Sequence, residues 1–542
     1  MRAIAVPYTS TSALVKPALG VPCSPNLSQM PDPQRDHDQD REKHQDVAHA
    51  ARSGGMQVLT VAAGALLSVT HVLLARLFGR AVFGSYQASL AILDLVTRGG
   101  TGGAGGGMLR YVAAHRARGE EDQVRSAMGT GLRLCLLMSG AAAALLIAMA
   151  GPLARVMREP ALETALRIMA PAAIATGCML VLVQASLSAK VTRANFYVRG
   201  LGEPVFLLLA GLSAALVGRS LATLAVAHVV AATATLLLAI VAVGRVFGRG
   251  ELGRAMRAPR LPGFIPFSLP LAAGDVLNGV LQRADIILLT MFVGTSAAGV
   301  YAASEFITRI IASARSVFDS VAAPVFAEAV SLGQRDRLKQ NLVMMNRWVV
   351  TVSAPIALTV LVMRRDLLAL YGSAFQEGAT TVAILAMSHW VNVSFGLMGW
   401  ILVGGGRSRL LLQNNIVVAV VNVVLGVTLI PRFGLLGAAL AALGSVVLLH
   451  TQVLIEVRLW FGIYPFDRTI LKPLAAAAAS VAVELALDSH VTPAGLRIPL
   501  VVVAGLVSYV MVIGALGLAP EEAKLVAGAR AKLRAARGKE VR

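Results

Sequence analysis

Charge is scarce in this chain. Of its 542 residues only 14% are Asp, Glu, Lys or Arg, while 56% are hydrophobic, and the mean hydropathy is +0.71. A soluble domain carries about 25% charged residues, so a water-soluble body is excluded. Cysteine is nearly missing as well. Cys135 and Cys178 fall inside apolar stretches and Cys23 in a polar one, which leaves no disulfide framework and no CxxC metal site. Aromatic residues make up only 5% and do not interleave with the basic ones. The net charge of +20 therefore does not describe a nucleic-acid surface, and no nucleic acid is expected as a partner. Also lacking are HExxH, GxSxG, a Walker lysine and clustered carboxylates outside the apolar stretches, so no catalytic residue and no metal site is expected, and the chain is read as a non-enzyme.

The first 54 residues lack the apolar core of a signal peptide. Pro17, Pro22, Pro25, Pro31 and Pro33 interrupt them before a charged run through Asp36, Asp38, Asp40 and Glu42. Residues 1–54 are read as a disordered cytoplasmic tail, in which His37, His44 and His49 match no ligand spacing and are solvated.

What the chain has in quantity is long apolar runs. A hydrocarbon core about 30 Å thick takes about 20 residues per helical crossing. Such runs fall near 55–77, 84–108, 127–150, 165–187, 197–217 and 221–244, and after a basic linker near 264–293, 299–326, 342–363, 378–403, 410–430 and 434–457. Two more lie near 471–487 and 496–517. The expected fold is thus an all-α polytopic membrane protein of about 14 transmembrane helices. Its organisation is an N-lobe of six helices (55–245), a cytoplasmic linker (246–263), a C-lobe of six (264–460), two additional helices (461–518) and a basic cytoplasmic tail (519–542). Alternate loops carry twenty-one Lys and Arg against nine, which puts the richer set and both termini in the cytoplasm. The connections on the other side are short, the longest near 363–378 and 150–165, and cannot house a polymerase or glycosyltransferase domain.

The segment Gly84-Ser-Tyr-Gln-Ala-Ser-Leu-Ala-Ile92 matches Gly299-Val-Tyr-Ala-Ala-Ser-Glu-Phe-Ile307 at an offset of 215 residues. Six intervening spans give both copies the same orientation, so the two lobes are expected to form a parallel repeat about a pseudo-twofold axis along the membrane normal, enclosing a central cavity.

Four segments, in order, carry a family resemblance: Ala75-Arg-Leu-Phe-Gly-Arg-Ala-Val-Phe-Gly-Ser-Tyr86, Gln282-Arg-Ala-Asp-Ile-Ile-Leu-Leu289, Gly405-Gly-Arg-Ser-Arg409 and Ile430-Pro-Arg-Phe-Gly-Leu-Leu-Gly-Ala-Ala439. With them the chain resembles the polysaccharide-synthesis flippases, the Wzx-type branch of the multidrug/oligosaccharidyl-lipid/polysaccharide exporter superfamily. The resemblance implies alternating access of two bundles around a cationic cavity. Its implied substrate is an undecaprenyl-diphosphate-linked oligosaccharide, moved across the bacterial inner membrane for exopolysaccharide, capsule or lipopolysaccharide O-antigen. Membrane lipid, a polysaccharide polymerase and chain-length-control proteins are the implied partners. Gly99-Gly-Thr-Gly-Gly-Ala-Gly-Gly-Gly107 departs from the family's second helix in its glycine content.

A diphosphate headgroup cannot cross hydrocarbon with its charge unpaired, and ionisable residues inside spans are functional candidates by default. Here they are Asp94 and Arg98 in the second span, Asp275, Arg283 and Asp285 in the seventh, and Glu305, Arg309, Arg315 and Asp319 in the eighth. Asp94 with Arg98, Glu305 with Arg309, and Arg315 with Asp319 are each four apart on one helix face, and each couple reads equally well as a structural ion pair. Because a planar guanidinium holds two phosphate oxygens at once, Arg98, Arg283, Arg309 and Arg315 are the expected headgroup ligands. Asp94 and Arg309 coincide under the 215-residue offset and are expected to pair across the lobes in one state of the cycle. Asp275 or Asp285 is a candidate for a coupling proton or sodium ion, with pairing to Arg283 the alternative; no other cofactor is expected.

No Gly-Lys-Ser/Thr follows the glycine run, so it is no phosphate loop; it reads as close helix packing or a bendable gate. Pro266 and Pro270 suggest a hinge in the seventh span. Trp348, Trp390, Trp400 and Trp460 lie near span ends as interface anchors, with sugar stacking an alternative for Trp390 and Trp400. The basic tail through Lys524, Arg530 and Lys532 reads as an anchor on anionic lipid. Competing functions are a peptidoglycan lipid-precursor flippase, a drug or cation antiporter of the same superfamily, and a membrane scaffold. Arginines in the cavity disfavour the antiporter, and paired charges at mid-membrane depth disfavour the scaffold.

Overall fold

The computed structural model describes residues 33–488 and 494–517, and among them there are helices and no strand. That is what hydrocarbon requires, since an apolar segment there must satisfy its own backbone N–H and C=O groups. The helices are α1 (Pro33–Gly100), α2 (Ala104–Ala117), α3 (Glu121–Val156), α4 (Ala161–Ser188), α5 (Arg193–Asn195), α6 (Glu203–Val217), α7 (Leu221–Phe247), α8 (Glu251–Arg257) and α9 (Phe264–Phe292). There follow α10 (Thr295–Ser331), α11 (Arg335–Val362), α12 (Arg364–Ala369), α13 (Ala379–Phe395), α14 (Met398–Gly404), α15 (Ser408–Phe433), α16 (Leu435–Phe461), α17 (Leu471–Asp488) and α18 (Ala494–Ala515). A π-helical segment, Phe196–Gly202, joins α5 to α6.

The chain divides into two units, Met1–Ser53 and Gly54–Arg542, and the second holds all the candidate spans. Of the tail read as disordered over 1–54, residues 1–32 lie outside the described residues, while from Pro33 the chain is helical. The basic tail also lies outside them.

Among the described residues 11 helices are long and apolar enough to span a membrane, or up to 13 if each of two bent pairs is one span. The expected fourteen is not reached on that count. One reason is α1, which is counted once although it runs through both of the first two expected spans. No loop separates them; the helix is interrupted only at Gly79, whose φ of 77° and ψ of 168° are non-helical. A positive φ there suits glycine alone.

The two segments that match at an offset of 215 residues meet in the structure. A Cβ on Gly84 would lie 1.8 Å from the carbonyl oxygen of Thr295, and one on Gly299 would lie 2.7 Å from that of Arg80. Arg80 and Thr295 are themselves 215 residues apart, so the approach is reciprocal, as at an isologous interface. Tyr86 and Tyr301, two residues beyond each glycine, are both buried. Further bonds cross at the same end: Arg80 to Glu377 at 2.7 Å, Arg76 to the Leu370 carbonyl at 2.5 Å and Thr295 to Glu159 at 3.2 Å.

The boundary between lobes does not follow the linker. The first half of α9 packs into the N-lobe, where Phe264 is fully buried with Met108, Leu132 and Val243. The glycine run makes this possible: a Cβ on Gly103 would lie 2.0 Å from the Ser268 carbonyl oxygen, and one on Gly107 would lie 2.5 Å from the Phe264 ring. Close packing is thus its role on this face. It also breaks the helix at Thr101–Gly103, where Gly102 and Gly103 both take positive φ. The second half of α9 belongs to the C-lobe, and Leu288 fills the space left by Gly426 of α15. α9 runs as one helix from Phe264 to Phe292, with Pro270 inside it.

The linker is ordered in part. α8 lies on α3, with Gly129 leaving room for the Ala255 carbonyl, and Arg125 bonds Glu251 at 2.5 Å. That guanidinium holds the Glu251 carboxyl below the usual carboxylate range. The C-terminal pair α17–α18 docks on α11 through Thr359 to Glu484 at 2.7 Å and Tyr509 to the Thr351 carbonyl at 2.8 Å.

Forcing a methyl into the Gly84 contact costs about 1–3 kcal/mol of overpacking, which shifts an open–closed balance by roughly tenfold. Gly84→Ala is therefore expected to speed labelling of Thr295→Cys by a membrane-impermeant maleimide about tenfold; unchanged labelling would show that the seam tolerates the methyl.

Candidate functional site

Asp94 lies on α1, on the side that meets α9. Its Oδ2 accepts from Nε of Arg98, four residues on, at 3.1 Å, and from Nε of Arg283 on α9, also at 3.1 Å. Arg98 spans the seam too, donating to Oε1 of Gln282 at 3.1 Å. Its stem lies over Gly279, where a Cβ would come within 2.7 Å of Arg98 Cδ. One carboxylate thus holds two guanidiniums, and the three side chains are only 21–28% exposed. Both arginines keep free N–H groups. In this conformation the partner of Asp94 across the seam is Arg283, and Arg309, expected to pair with it in one state of the cycle, is bonded to Glu305.

Arg309 lies on α10 beside Glu305, at 3.4 Å, and above the Phe306 ring at 5.5 Å. With 48% of its side chain exposed it is the least engaged of the candidate arginines. Glu305 is also bonded by Nε2 of His389 at 3.4 Å. His71 of α1 also stacks on Phe306, with ring centroids 4.0 Å apart. Its Nδ1 is fixed on the Leu67 carbonyl at 2.8 Å, and Arg283 and Arg309 both act on it electrostatically. The structure so brings Arg98, Arg283 and Arg309 to one inter-lobe region around Asp94 and His71.

Asp285 does not pair with Arg283. It is buried, accepting from the Tyr301 hydroxyl at 2.9 Å and from Asn422 of α15 at 3.5 Å, both neutral groups. Asp275 forms no hydrogen bond among the described residues, and Arg98 is the cation that acts on it. Arg315 stands apart from the other three arginines. Its Nε bonds Asp319 at 3.2 Å and its Nη1 bonds both the carbonyl and the side-chain oxygen of Asn392, each at 3.2 Å. Asp319 in turn accepts from the Trp400 indole at 2.8 Å, which occupies the polar edge that sugar stacking would leave free.

The bundle has relatives in both sequence and fold. The family model described as polysaccharide biosynthesis protein matches residues 72–380, more than half of the chain. The chain belongs to that family. No curated protein sequence matches it. Among solved structures the lipid II flippase MurJ in an inward closed conformation is similar, with a TM-score of 0.65 at 12% identity over 85% of this chain and 98% of that one. An inward-facing multidrug resistance transporter of the MATE family, in the MOP superfamily, gives 0.62 at 11% identity over 75% and 98%. A MOP superfamily transporter from Pyrococcus furiosus, described by the reverse polarity of its binding pocket, gives 0.54 at 12% identity over 76% and 95%. These likenesses establish the fold, an all-α multi-pass membrane bundle. The resemblance read from the four segments is borne out for family and fold.

Sequence reasoning passed over His71, Gln282 and His389. A histidine inside an otherwise apolar span was the available signal for His71 and His389; Gln282 adjoins Arg283 and carried none of its own.

With Asp94→Asn, Arg98 and Arg283 lose their common counter-charge, and removing one partner of a mostly buried pair costs about 3 kcal/mol. The variant should melt several degrees lower in detergent. Adding Arg283→Gln should recover part of the loss, and strictly additive effects in that cycle would mean the bridge carries no coupling.

Proposed function

We propose that this protein is a flippase for undecaprenyl-diphosphate-linked oligosaccharide repeat units, working by alternating access in the bacterial cytoplasmic membrane with both termini in the cytoplasm. The observation that carries this reading is the sharing of one carboxylate by Arg98 and Arg283 from facing helices. A diphosphate presents more negative oxygens than a carboxylate, so it can take both guanidiniums from Asp94 and recruit the exposed Arg309, while the glycan stays in the aqueous space and the lipid chain in the bilayer. Asp94 keeps the site neutralised when empty, which avoids isolated buried cations. In this orientation the Gly84–Gly299 seam is the outer closure, and substrate enters from the cytoplasmic side.

Asp285 is the favoured coupling site for a proton or a sodium ion, ahead of Asp275, because its partners are neutral donors and no cation already balances it. Exopolysaccharide, capsule or O-antigen synthesis is the expected setting, with a polysaccharide polymerase and chain-length-control proteins as partners. Lipid II presents the same diphosphate and is the nearest alternative substrate; a cationic drug is disfavoured by three converging arginines.

The test is the level of undecaprenyl-linked repeat units in a deletion strain complemented with wild type, Arg98→Ala or Arg309→Ala. Intermediates should build up in the deletion strain, clear with wild type and persist at least about tenfold higher with either stably inserted variant. Unchanged intermediates combined with lost resistance to cationic drugs would replace this reading with the antiporter.

A further inference from the structure

α10 is bent by 44° between Ser316 and Val321, just before Pro324, whose ring removes a backbone hydrogen bond one turn back. The neighbouring span formed by α13 and α14 is bent by 41° between Phe395 and Met398. The two run side by side on both sides of the bends. Before them, Gly378 meets Val300 and Ser304, a Cβ there lying 2.6 Å from Val300 Cγ1; after them, Gly404 meets Ala327, a Cβ there lying 2.9 Å from its Cα.

The Arg315–Asp319 couple sits at the first bend and grips both sides of the second. Arg315 caps the free carbonyl of Asn392 before the break, in the space that Gly396 leaves by having no side chain, since a Cβ there would fall 1.8 Å from Arg315 Nη1. Asp319 holds the Trp400 indole after the break. His450 of α16 also bonds Asn392, at 3.0 Å, and so braces the segment before the break. Arg315 lies twenty residues into α10, roughly 30 Å from its start, which is a full hydrocarbon thickness from the Gly84 seam.

We infer that Arg315 and Asp319 are positioning residues, pinning two bent spans so that the segments Val321–Ser331 and Met398–Gly404 swing as one gate at the end opposite the Gly84–Gly299 seam. Arg315 is then no headgroup ligand. This rests on the transport reading only in what the gate serves; the mechanical coupling stands without it.

Two spin-label distances test the coupling in the full chain with its three cysteines replaced: Leu332→Cys to Leu459→Cys, and Val403→Cys to Leu459→Cys, all at exposed positions. Introducing Gly84→Ala, which forces the opposite end apart, should shift both distributions together. With Trp400→Phe added, or with Asp319→Asn, one should move without the other. Separately, purified Arg315→Ala should bind undecaprenyl diphosphate within about twofold of wild type, whereas Arg309→Ala should bind at least about tenfold more weakly. The inference is overturned if Gly84→Ala moves neither distance, if both still move together in the variants, or if Arg315→Ala binds as weakly as Arg309→Ala. If wild type does not bind the diphosphate at all, the flippase reading fails while the distances still decide the gate.

Discussion

A charge taken out of water must keep a counter-charge within reach, and the interior of this bundle is arranged around that demand. Asp94 answers it for two arginines that come from different helices, one carried by α1 and one by α9. Glu305 answers it for Arg309, and Asp319 for Arg315. Each cation is held, yet the carboxylates differ in what they leave over. Asp94 takes both of its arginines on one oxygen, Glu305 divides itself between Arg309 and His389, and Asp319 is also engaged by an indole. Arg309, with one bond and nearly half of its side chain exposed, is the least committed of these cations, and Arg315, engaged through both Nε and Nη1, the most.

Close approach of backbones is the second determinant, and glycine supplies it wherever the seam is tight. In a membrane helix packing gains little from hydrophobic burial, since lipid is as apolar as leucine, and small residues let van der Waals contact take over. Gly84 and Gly299 do this between the lobes, Gly103 and Gly107 between α2 and α9, and Gly378 and Gly404 along the bent spans. The charged pairs are positioned by these contacts. Without Gly279 the stem of Arg98 could not cross α9 to reach Gln282.

Much of this was legible in the sequence. The apolar runs specify the helices, and four-residue spacing specifies the couples Asp94–Arg98, Glu305–Arg309 and Arg315–Asp319, all of which form. The 215-residue offset anticipates a duplicated structure whose equivalent glycines meet. Partners between helices were not legible, because register across a seam leaves no local trace: Arg283 turns to Asp94 although Asp285 is two residues away. Arg315 falls among the expected headgroup ligands by residue type and setting, and its contact with Asn392 in the space at Gly396, far along the chain, left no local trace. The bend in α10 had a signal in Pro324, whereas that between α13 and α14 depends on a glycine among many. Pro266 and Pro270, which looked like the hinge, stay within one helix.

The division of α9 between two sets of helices ties the halves of the molecule together. The linker lies ahead of α9, but the division in packing runs through the middle of that helix, so the segment after the linker lends part of itself to the helices before it, much as subunits exchange an element in a domain swap. Two half-molecules made as separate chains and cut at the linker would each be incomplete. The first would leave bare the apolar face around Met108, Leu132 and Val243 that Phe264 now covers, and the second would carry an orphaned half-helix with nothing to bury it. The two halves are bound together by one continuous helix.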